Sequence, residues 1–208
     1  MTGAPVVFVV DDDPSVRSSL KFLISSEGLQ VESFDSADAF LQRKLPDVPS
    51  CLVLDVRLRG VSGLDFQREL AARNIPIPIV FITGHGDIPM TVKAMKAGAI
   101  EFLAKPFRDQ DLLDAVRIAL ERDRARREQE KEVTDLQQRF DSLTSREQQV
   151  ISMLVSGMLN KQIAGQLGTA ESTVKVQRSR AMEKMHAESL VDLVRMIEKI
   201  KGPSEKAS

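Results

Sequence analysis

Three carboxylates stand at the ends of short apolar runs, where β-strands are expected to finish. Asp11 and Asp12 directly follow Val6–Val10, and Asp55 follows Leu52–Leu54. Neighbouring parallel strands end at the same edge of a sheet, so these like charges would converge in one shallow pocket. Their repulsion favours a bound cation, and an all-oxygen site with open positions suits Mg²⁺, or Mn²⁺ in its place.

Two further side chains are expected at the same edge. Thr83 ends the fourth predicted strand and Lys105 follows the fifth, so a hydroxyl and an ammonium would face the carboxylates. A carboxylate nucleophile, a divalent ion and a lysine around one point are the components needed to accept a phosphoryl group. The ion and Lys105 would neutralise the charge that develops on the phosphoryl oxygens. An isolated Asp is usually a helix cap or a solvated charge, so the prediction depends on all five polar positions occurring together.

The elements that must position these residues follow from apolar runs and helix-start signals. The predicted strands are Val6–Val10, Gln30–Phe34, Leu52–Leu54, Ile79–Ile82 and Glu101–Leu103. Five helices alternate with them, and their starts are marked by Pro14, Ser36, Gly63, Asp87 and Asp109. This alternation predicts an α/β fold with a doubly wound, five-stranded parallel sheet. Right-handed crossovers then place the carboxyl ends of the strands at one edge.

The last third of the chain predicts a small all-α domain of four helices. Thr144 and Glu147 form a capping box that opens the first helix. Asn160 is predicted to cap the second helix, and Gly168 to end it. The third helix is predicted over about residues 170–185, and Ser189 opens the last one.

A nearly all-charged segment, residues 121–132, joins the two halves. An apolar stripe then follows at spacings of three, four and three residues, formed by Val133, Leu136, Phe140 and Leu143. The stripe is barely two heptads long, so two interpretations stay open: a solvated helix or hinge, or a rod that pairs between two chains. The predicted domains are an α/β domain at 1–121, a charged helical linker at 122–142, a helical domain at 143–201 and a disordered tail at 202–208.

Composition and charge restrict the function classes. The chain has 208 residues and a net charge of −1, with 42% hydrophobic and 28% charged residues, as in an ordinary soluble protein. It has neither an apolar run long enough to span a membrane nor a secretory signal at its start, and Cys51 is its single cysteine. These features predict a reduced, cytoplasmic protein without a membrane partner. Residues 144–201 carry nine Lys and Arg against six Asp and Glu, a mildly basic balance that suits nucleic-acid contact.

Four segments of the first half, VVDDDPSVR, LVLDVRLRGVSG, FITGHGD and EFLAKPF, resemble the receiver domains of bacterial response regulators. The resemblance covers residues 5–121 and implies a flavodoxin-like and CheY-like fold. It implies that Asp55 is phosphorylated by a partner sensor histidine kinase. It also implies that Asp12 and Asp55 ligate Mg²⁺ together with the backbone carbonyl of Arg57, and that Asp11 acts nearby through water.

The same resemblance implies a switch next to the pocket. Thr83 would bond the phosphoryl group and move, Phe102 would turn inward behind it, and the Lys105–Pro106 bond would be cis. Arg59 stands where this family often has proline, which predicts a more mobile loop and altered dephosphorylation. His85 is interpreted as a loop side chain without a catalytic role.

The second half, LTSREQQVISMLVSGMLNKQIAGQLG followed by STVKVQRSRAMEKM, resembles the LuxR/FixJ-type helix-turn-helix over residues 140–200. The residues alone predict a helix after the turn that can enter a major groove, because it shows polar side chains outward at Lys175, Gln177, Arg178 and Ser179. By resemblance, base edges would be reached by Lys175, Val176 and Ser179. Phosphates would mostly be held by Lys161, Thr173, Arg178 and Arg180.

This half departs from the family pattern at two places. Gln177 stands where the family usually has histidine. Thr169 and Ala170 replace an apolar residue and a serine cap at the start of the recognition helix. Loss of such a cap costs about 1 kcal/mol, so the helix is predicted to be less ordered before DNA binds, unless Thr169 serves as a shifted cap.

Nearly the whole chain resembles the FixJ/NarL family of transcription regulators. The resemblance implies that phosphorylated receivers pair through the fourth helix and fifth strand. The homodimer would then bind two half-sites of promoter DNA and, with RNA polymerase, activate transcription.

Two alternatives compete with this interpretation. An aspartyl phosphatase would be an enzyme with a second acid two residues beyond its nucleophile, where this chain has Arg57. A phosphorylation-independent dimeric DNA-binding regulator with a pseudo-receiver would lack one of the pocket residues, and none is missing. The sequence therefore predicts a regulator and not an enzyme.

Overall fold

The computed structural model describes residues 3–84 and 88–202 of the chain. The chain divides into two compact units, an N-terminal unit of Met1–Arg127 and a C-terminal unit of Glu128–Ser208. No helix in the described ranges is long and apolar enough to cross a membrane.

The N-terminal unit contains a five-stranded, all-parallel sheet with the strand order β2-β1-β3-β4-β5. Its strands are β1 (Val6–Val10), β2 (Gln30–Phe34), β3 (Ser50–Asp55), β4 (Ile79–Thr83) and β5 (Glu101–Ala104). The predicted strand positions are confirmed. The last three strands extend one to three residues beyond the apolar runs that predicted them, because hydrogen bonding with neighbouring strands continues through polar residues such as Ser50 and Thr83.

Helices cover both faces of this sheet, as predicted for a doubly wound fold. They are α1 (Pro14–Ser26), α2 (Ala37–Leu41), α3 (Gly63–Ala72), α4 (Ile88–Lys96) and α5 (Asp109–Asp141). Successive strand residues point to opposite faces. On β1, Phe8 packs with α2, α3 and α4, whereas Val7 and Val9 pack with α1 and the first turns of α5.

The helix starts partly match the predictions. Ser36 caps α2 as predicted, with its hydroxyl accepting from the Ala39 N–H at 3.3 Å. Gly63 is the first residue of α3, and Ser62 is its cap. Asp109 is already helical in α5 instead of preceding it. Asp87, which was predicted to mark the start of the fourth helix, lies outside the described residues, as do His85 and the tail beyond residue 202.

A buried aspartate fastens α5 to the sheet within the N-terminal unit. Asp123 accepts a hydrogen bond from the Ser50 N–H at 2.9 Å, at the start of β3. It also pairs with Arg126 and Arg127, each at 2.6 Å. Close by, Cys51 is fully buried, and burial, together with the charge of Asp123, raises the pKa of its thiol far above the ordinary value.

The C-terminal unit holds the predicted helices α6 (Ser145–Val155), α7 (Asn160–Leu167), α8 (Glu171–Met185) and α9 (Leu190–Lys201). The capping box of Thr144 and Glu147 is present at α6. The prediction for Asn160 was wrong: it is the first residue of α7, Leu159 takes the cap position, and the Leu159 N–H donates to the Gln162 side chain at 2.8 Å. A residue at the first helical position already has helical backbone angles, so Asn160 does not occupy the extended cap position.

The charged segment, residues 121–132, is helical and lies within α5. The division between the two units falls within this helix, after Arg127. At the end of α5, Phe140 and Leu143 pack into the core of the C-terminal unit, and Leu136 is buried as well. Most of the predicted apolar stripe is therefore covered within its own chain.

Candidate functional site

The polar residues predicted at strand ends lie along one edge of the sheet. The register pairs Val10 with Leu54, so Asp11 and Asp55 follow neighbouring positions on β1 and β3. On the other side, Thr83 pairs with Ala104, the residue before Lys105. Parallel pairing in the order β1-β3-β4-β5 therefore brings together side chains that are up to 94 residues apart in sequence.

Lys105 joins two of the carboxylates. Its Nζ atom donates to Asp11 Oδ2 at 3.0 Å and to Asp55 Oδ2 at 3.1 Å. The Asp11 side chain is fully buried and the Asp55 side chain is almost so. Because one ammonium touches both, the two carboxylates face the same point. The Lys105–Pro106 peptide bond is cis, as expected.

Burial and charge act in opposite directions on the titration of this pair. Burial raises the pKa of Asp11 above its ordinary value, and the Asp13 N–H at 2.8 Å and Lys105 only partly offset this effect. Burial by itself would lower the pKa of Lys105, but its hydrogen bonds to Asp11 and Asp55 outweigh that effect and raise the pKa. The lysine therefore stays protonated and supplies a fixed positive charge.

The backbone after β3 orients the Asp55 carboxylate. Asp55 Oδ1 accepts from the Arg57 N–H at 2.9 Å. The chain then turns back, so that the Gly63 N–H donates to the Val56 carbonyl at 2.8 Å. A Cβ atom on Gly63 would lie 2.4 Å from the Asp55 carbonyl oxygen. Sequence reasoning used Gly63 only as a helix-start signal and missed this close approach.

Asp12 has a different partner from Asp11 and Asp55. Its Oδ2 atom accepts from Arg59 Nε at 3.0 Å, across 47 residues of sequence. Sequence reasoning expected Arg59 to make the loop more mobile and to alter dephosphorylation, and it missed the ion pair with Asp12. The presence of an arginine at position 59 could have indicated this ion pair, because an arginine close to the predicted pocket has several carboxylates within reach.

The two residues of the predicted switch lie on the neighbouring strands β4 and β5. Thr83 is fully buried, and its carbonyl accepts from the Lys105 N–H at 2.7 Å. Phe102 is half-buried on β5, and its ring packs on Phe81 with 6.1 Å between centroids. Phe102 therefore packs against β4, the strand that ends in Thr83.

The chemistry of the oxygens at this edge suits a hard divalent cation. The oxygens at this edge belong to Asp11, Asp12 and Asp55 and to the Arg57 backbone, and such oxygens are the ligands that Mg²⁺ prefers. Within the described part of the chain, no three acidic, histidine or cysteine side chains converge ready to hold an ion. Arg59 and Lys105 instead hold the carboxylates.

The C-terminal unit presents the predicted helix-turn-helix. Gly168 ends α7 in the left-handed conformation, with φ at +62°, and the turn to α8 follows at once. Val174, Ala181 and Met185 are buried and anchor α8 in the core. The predicted DNA-contacting side chains Lys161, Thr173, Lys175, Val176, Ser179 and Arg180 are exposed, and Arg178 is half-buried.

The predicted outward position of Gln177 needs correction. This side chain is half-buried, and its Oε1 atom is buried without a hydrogen-bond partner. It therefore lies on the flank of α8 and not on the fully exposed face. Lys175, in contrast, is exposed and pairs with Glu171 one turn earlier at 3.1 Å. No side chain caps α8 at Ala170, so Thr169 does not serve as the shifted cap.

Comparison with known proteins identifies both units. Residues 7–117 match the family described as response regulator receiver domain, and residues 141–197 match bacterial regulatory proteins of the luxR family. Nodulation protein W of Bradyrhizobium diazoefficiens is 60% identical, over 93% of this chain and 85% of its own. The transcriptional regulatory protein FixJ of Azorhizobium caulinodans is 46% identical, over 91% and 90% of the two chains. The solved structure of the response regulator StyR is 54% identical, with a TM-score of 0.84 over 95% of this chain and 100% of that one.

These matches cover both units and agree with the geometry of the two sites. The acidic edge of the sheet lies in the segment that matches receiver domains, and the helix-turn-helix lies in the segment that matches the luxR family. The chain belongs to the response regulators that join a receiver domain to a LuxR-type DNA-binding domain, and it is homologous to the FixJ, NodW and TodT regulators.

Proposed function

We propose that Asp55 accepts a phosphoryl group from the phosphohistidine of a sensor kinase. The observation that carries the proposal is the contact of one lysine ammonium with both Asp11 and Asp55. In the transfer, an Asp55 oxygen forms a new P–O bond, while the P–N bond breaks and its electron pair stays on the histidine nitrogen. Lys105 is positioned to bind the oxygens of the incoming group, and the Arg57 N–H holds the carboxylate in place.

Mg²⁺ or Mn²⁺ would be held by Asp12, Asp55 and the carbonyl oxygen of Arg57, with Asp11 acting through water. When bound, the ion would neutralise charge on the phosphoryl oxygens. The support for this assignment is the oxygen-only donor set and the partial exposure of Asp12, whose side chain is 26% accessible.

Thr83 and Phe102 would carry the signal away from Asp55. A phosphoryl group on Asp55 places new acceptor oxygens next to the end of β4, where the Thr83 hydroxyl can donate to one of them. Movement of Thr83 would open space that Phe102 then fills. Their positions on adjacent strands β4 and β5 support this coupling.

The receiver surface beside these residues would then pair with a second copy. The described part of α4 exposes three apolar side chains, Ile88, Val92 and Met95. Ile88 is 81% exposed, and burying such a side chain favours association. In the homodimer, two DNA-binding units would occupy two half-sites of promoter DNA.

On DNA, α8 would lie in the major groove. Lys175, Val176 and Ser179 would reach base edges, while Lys161, Thr173, Arg178 and Arg180 would mostly hold phosphates. Gln177 would contribute from the flank of the helix. The exposure of the recognition face supports these roles.

The domain limits, partners and location complete the proposal. We assign the receiver to residues 1–121, the linker to 122–142, the DNA-binding domain to 143–201 and the tail to 202–208. The protein would act in the cytoplasm on promoter DNA and RNA polymerase, as an activator and not as an enzyme with an external substrate.

The deciding experiment is to incubate the full chain with Mg²⁺ and acetyl phosphate, and to follow intact mass and oligomeric state. Wild type should gain one phosphoryl group and shift to a dimer. Asp55→Asn should show neither change. Asp38→Asn, an exposed carboxylate at the start of α2, is the matched control and should behave as wild type.

Two results would contradict the proposal. Phosphorylation that persists in Asp55→Asn would show that Asp55 is not the acceptor. An unmodified wild-type protein that is already dimeric and binds DNA would instead support the phosphorylation-independent regulator.

A further inference from the structure

Arg59 is held at the pocket by a loop that turns back on itself after β3. An antiparallel bridge joins Arg57 to Ser62, and Gly60 adopts φ of +88° in the turn between them. This turn directs the Arg59 guanidinium at Asp12, in the loop after β1. The Arg59 side chain is 87% exposed, so it can leave Asp12 without disturbing the core.

The two cationic side chains at the pocket pair with different carboxylates. Lys105 forms ion pairs with Asp11 and Asp55, and Arg59 forms one with Asp12. Lys105 is partly buried and fixed by two contacts, whereas Arg59 reaches in from solvent. Of the two cations, Arg59 is therefore the one that an ion from solution can displace.

We propose that Arg59 and the divalent cation compete for Asp12, so that Arg59 lowers the affinity of the unphosphorylated pocket for the metal. This inference rests on the metal site of the proposed function. Both cations use the same carboxylate, and the positive charge of Arg59 also repels an ion bound beside it. Exposed ion pairs are weak, so removing the charge should tighten metal binding by about two- to fivefold.

The competition has a consequence for phosphorylation. When metal is scarce, Arg59 keeps the pocket in a form that accepts the phosphoryl group slowly. When metal is in excess, Arg59 is displaced and the rate no longer depends on it. Arg59 therefore sets the metal concentration at which the receiver becomes responsive.

The test measures Mn²⁺ binding directly on the unphosphorylated full chain, from the electron paramagnetic resonance signal of the free ion. Arg59→Gln should bind Mn²⁺ about two- to fivefold more tightly than wild type at low salt, and the difference should shrink as salt screens the charges. Arg59→Lys keeps the charge and should bind more weakly than Arg59→Gln. Arg68→Gln, an exposed arginine on α3 with the same charge change, should match wild type.

A double-mutant comparison locates the effect on Asp12. In the Asp12→Asn background, Arg59→Gln should change Mn²⁺ binding little, because the shared carboxylate is gone. Unchanged or weaker binding by Arg59→Gln, in a protein whose wild type binds Mn²⁺, would overturn the competition alone. Absence of Mn²⁺ binding in both wild type and Arg59→Gln would overturn the metal site as well.

Discussion

Gly63 offers a test of the pocket backbone that leaves every pocket charge in place. A methyl group at this position would meet the Asp55 carbonyl oxygen at 2.4 Å, and backbone atoms cannot give way as a flexible side chain can. We predict that Gly63→Ala destabilises the N-terminal unit by about 1–3 kcal/mol and slows phosphorylation of Asp55, because the loop that orients the carboxylate must shift. Urea unfolding and the rate of acetyl phosphate modification measure the two effects.

A glycine without such a neighbour provides the control. Gly165 lies in α7, where an added Cβ atom meets nothing within 4 Å. Gly165→Ala should be neutral or stabilising by up to about 1 kcal/mol, since alanine favours the helix. The prediction would be contradicted if Gly63→Ala were as stable as Gly165→Ala and were phosphorylated at the wild-type rate. The close approach of residue 63 to the Asp55 carbonyl oxygen would then not matter for function.

Residue types and spacing were enough to predict which side chains share the pocket, but not their individual partners. The edge positions of Thr83 and Lys105 follow from strand ends, which an alternating pattern reveals. The ion pair of Asp12 with Arg59 depends on the path of a loop. The half-buried position of Gln177 depends on how α8 is rotated about its axis against α6 and α7. The sequence pattern of α8 alone does not determine that rotation.

At the scale of elements, Glu147 connects α6 to α8. Its carboxylate accepts from the Thr144 N–H at 2.9 Å and from Lys184 Nζ at 2.7 Å. The hydrogen bond from Lys184, followed by that from Thr144, lowers the pKa of Glu147 below its ordinary value. The folded pKa is below the unfolded one, so this stabilisation is present above about pH 4.3 and is lost as the pH falls through the folded pKa.

We predict that Glu147→Gln lowers the stability of the C-terminal unit at pH 7 by about 1 kcal/mol, and that the difference from wild type vanishes toward pH 3. Glutamine retains an oxygen that can accept the hydrogen bond of the capping box, but it lacks the negative charge that forms the ion pair with Lys184. Calorimetric unfolding between pH 7 and pH 3 measures the difference. Glu171→Gln, an exposed residue paired only along its own helix, is the control and should change stability by less than about 0.5 kcal/mol.

Elements were predicted well where one local signal decides them, and less well where tertiary contacts do. The caps Ser36 and Ser189 and the box at Thr144 have side-chain bonds that short sequence patterns reveal. The length of α5 could not be read from its charged segment. That segment has no helix-breaking residue, but the anchoring of the helix depends on the buried contact between Asp123 and Ser50, 73 residues apart.

At the scale of the whole molecule, the proposed output is salt-dependent binding to promoter DNA. Lys161 is exposed at the start of α7 and is assigned to a phosphate. We predict that Lys161→Ala weakens binding of the phosphorylated dimer to all DNA sequences alike and reduces the slope of log affinity against log salt by about 1 per subunit. Fluorescence anisotropy with labelled DNA across a salt series measures the slope.

Lys199 supplies the matched control for that experiment. It is also an exposed lysine, but it lies on α9 and pairs with Glu132 of the same unit. Lys199→Ala should leave the slope unchanged. An equal loss of slope in both variants would mean that general charge, and not the face formed by α7 and α8, governs DNA affinity.

Because Cys51 is buried, the rate at which its thiol reacts can report how often the receiver opens. The chain has one thiol, on the central strand β3, and the DNA-binding unit has none. A thiol reagent should therefore modify the protein only when the sheet opens, and the labelling rate would report the opening free energy of the receiver alone. Phosphorylation, metal and each receiver variant discussed above could then be ranked by pulse labelling of the intact regulator, on or off DNA, without adding any probe.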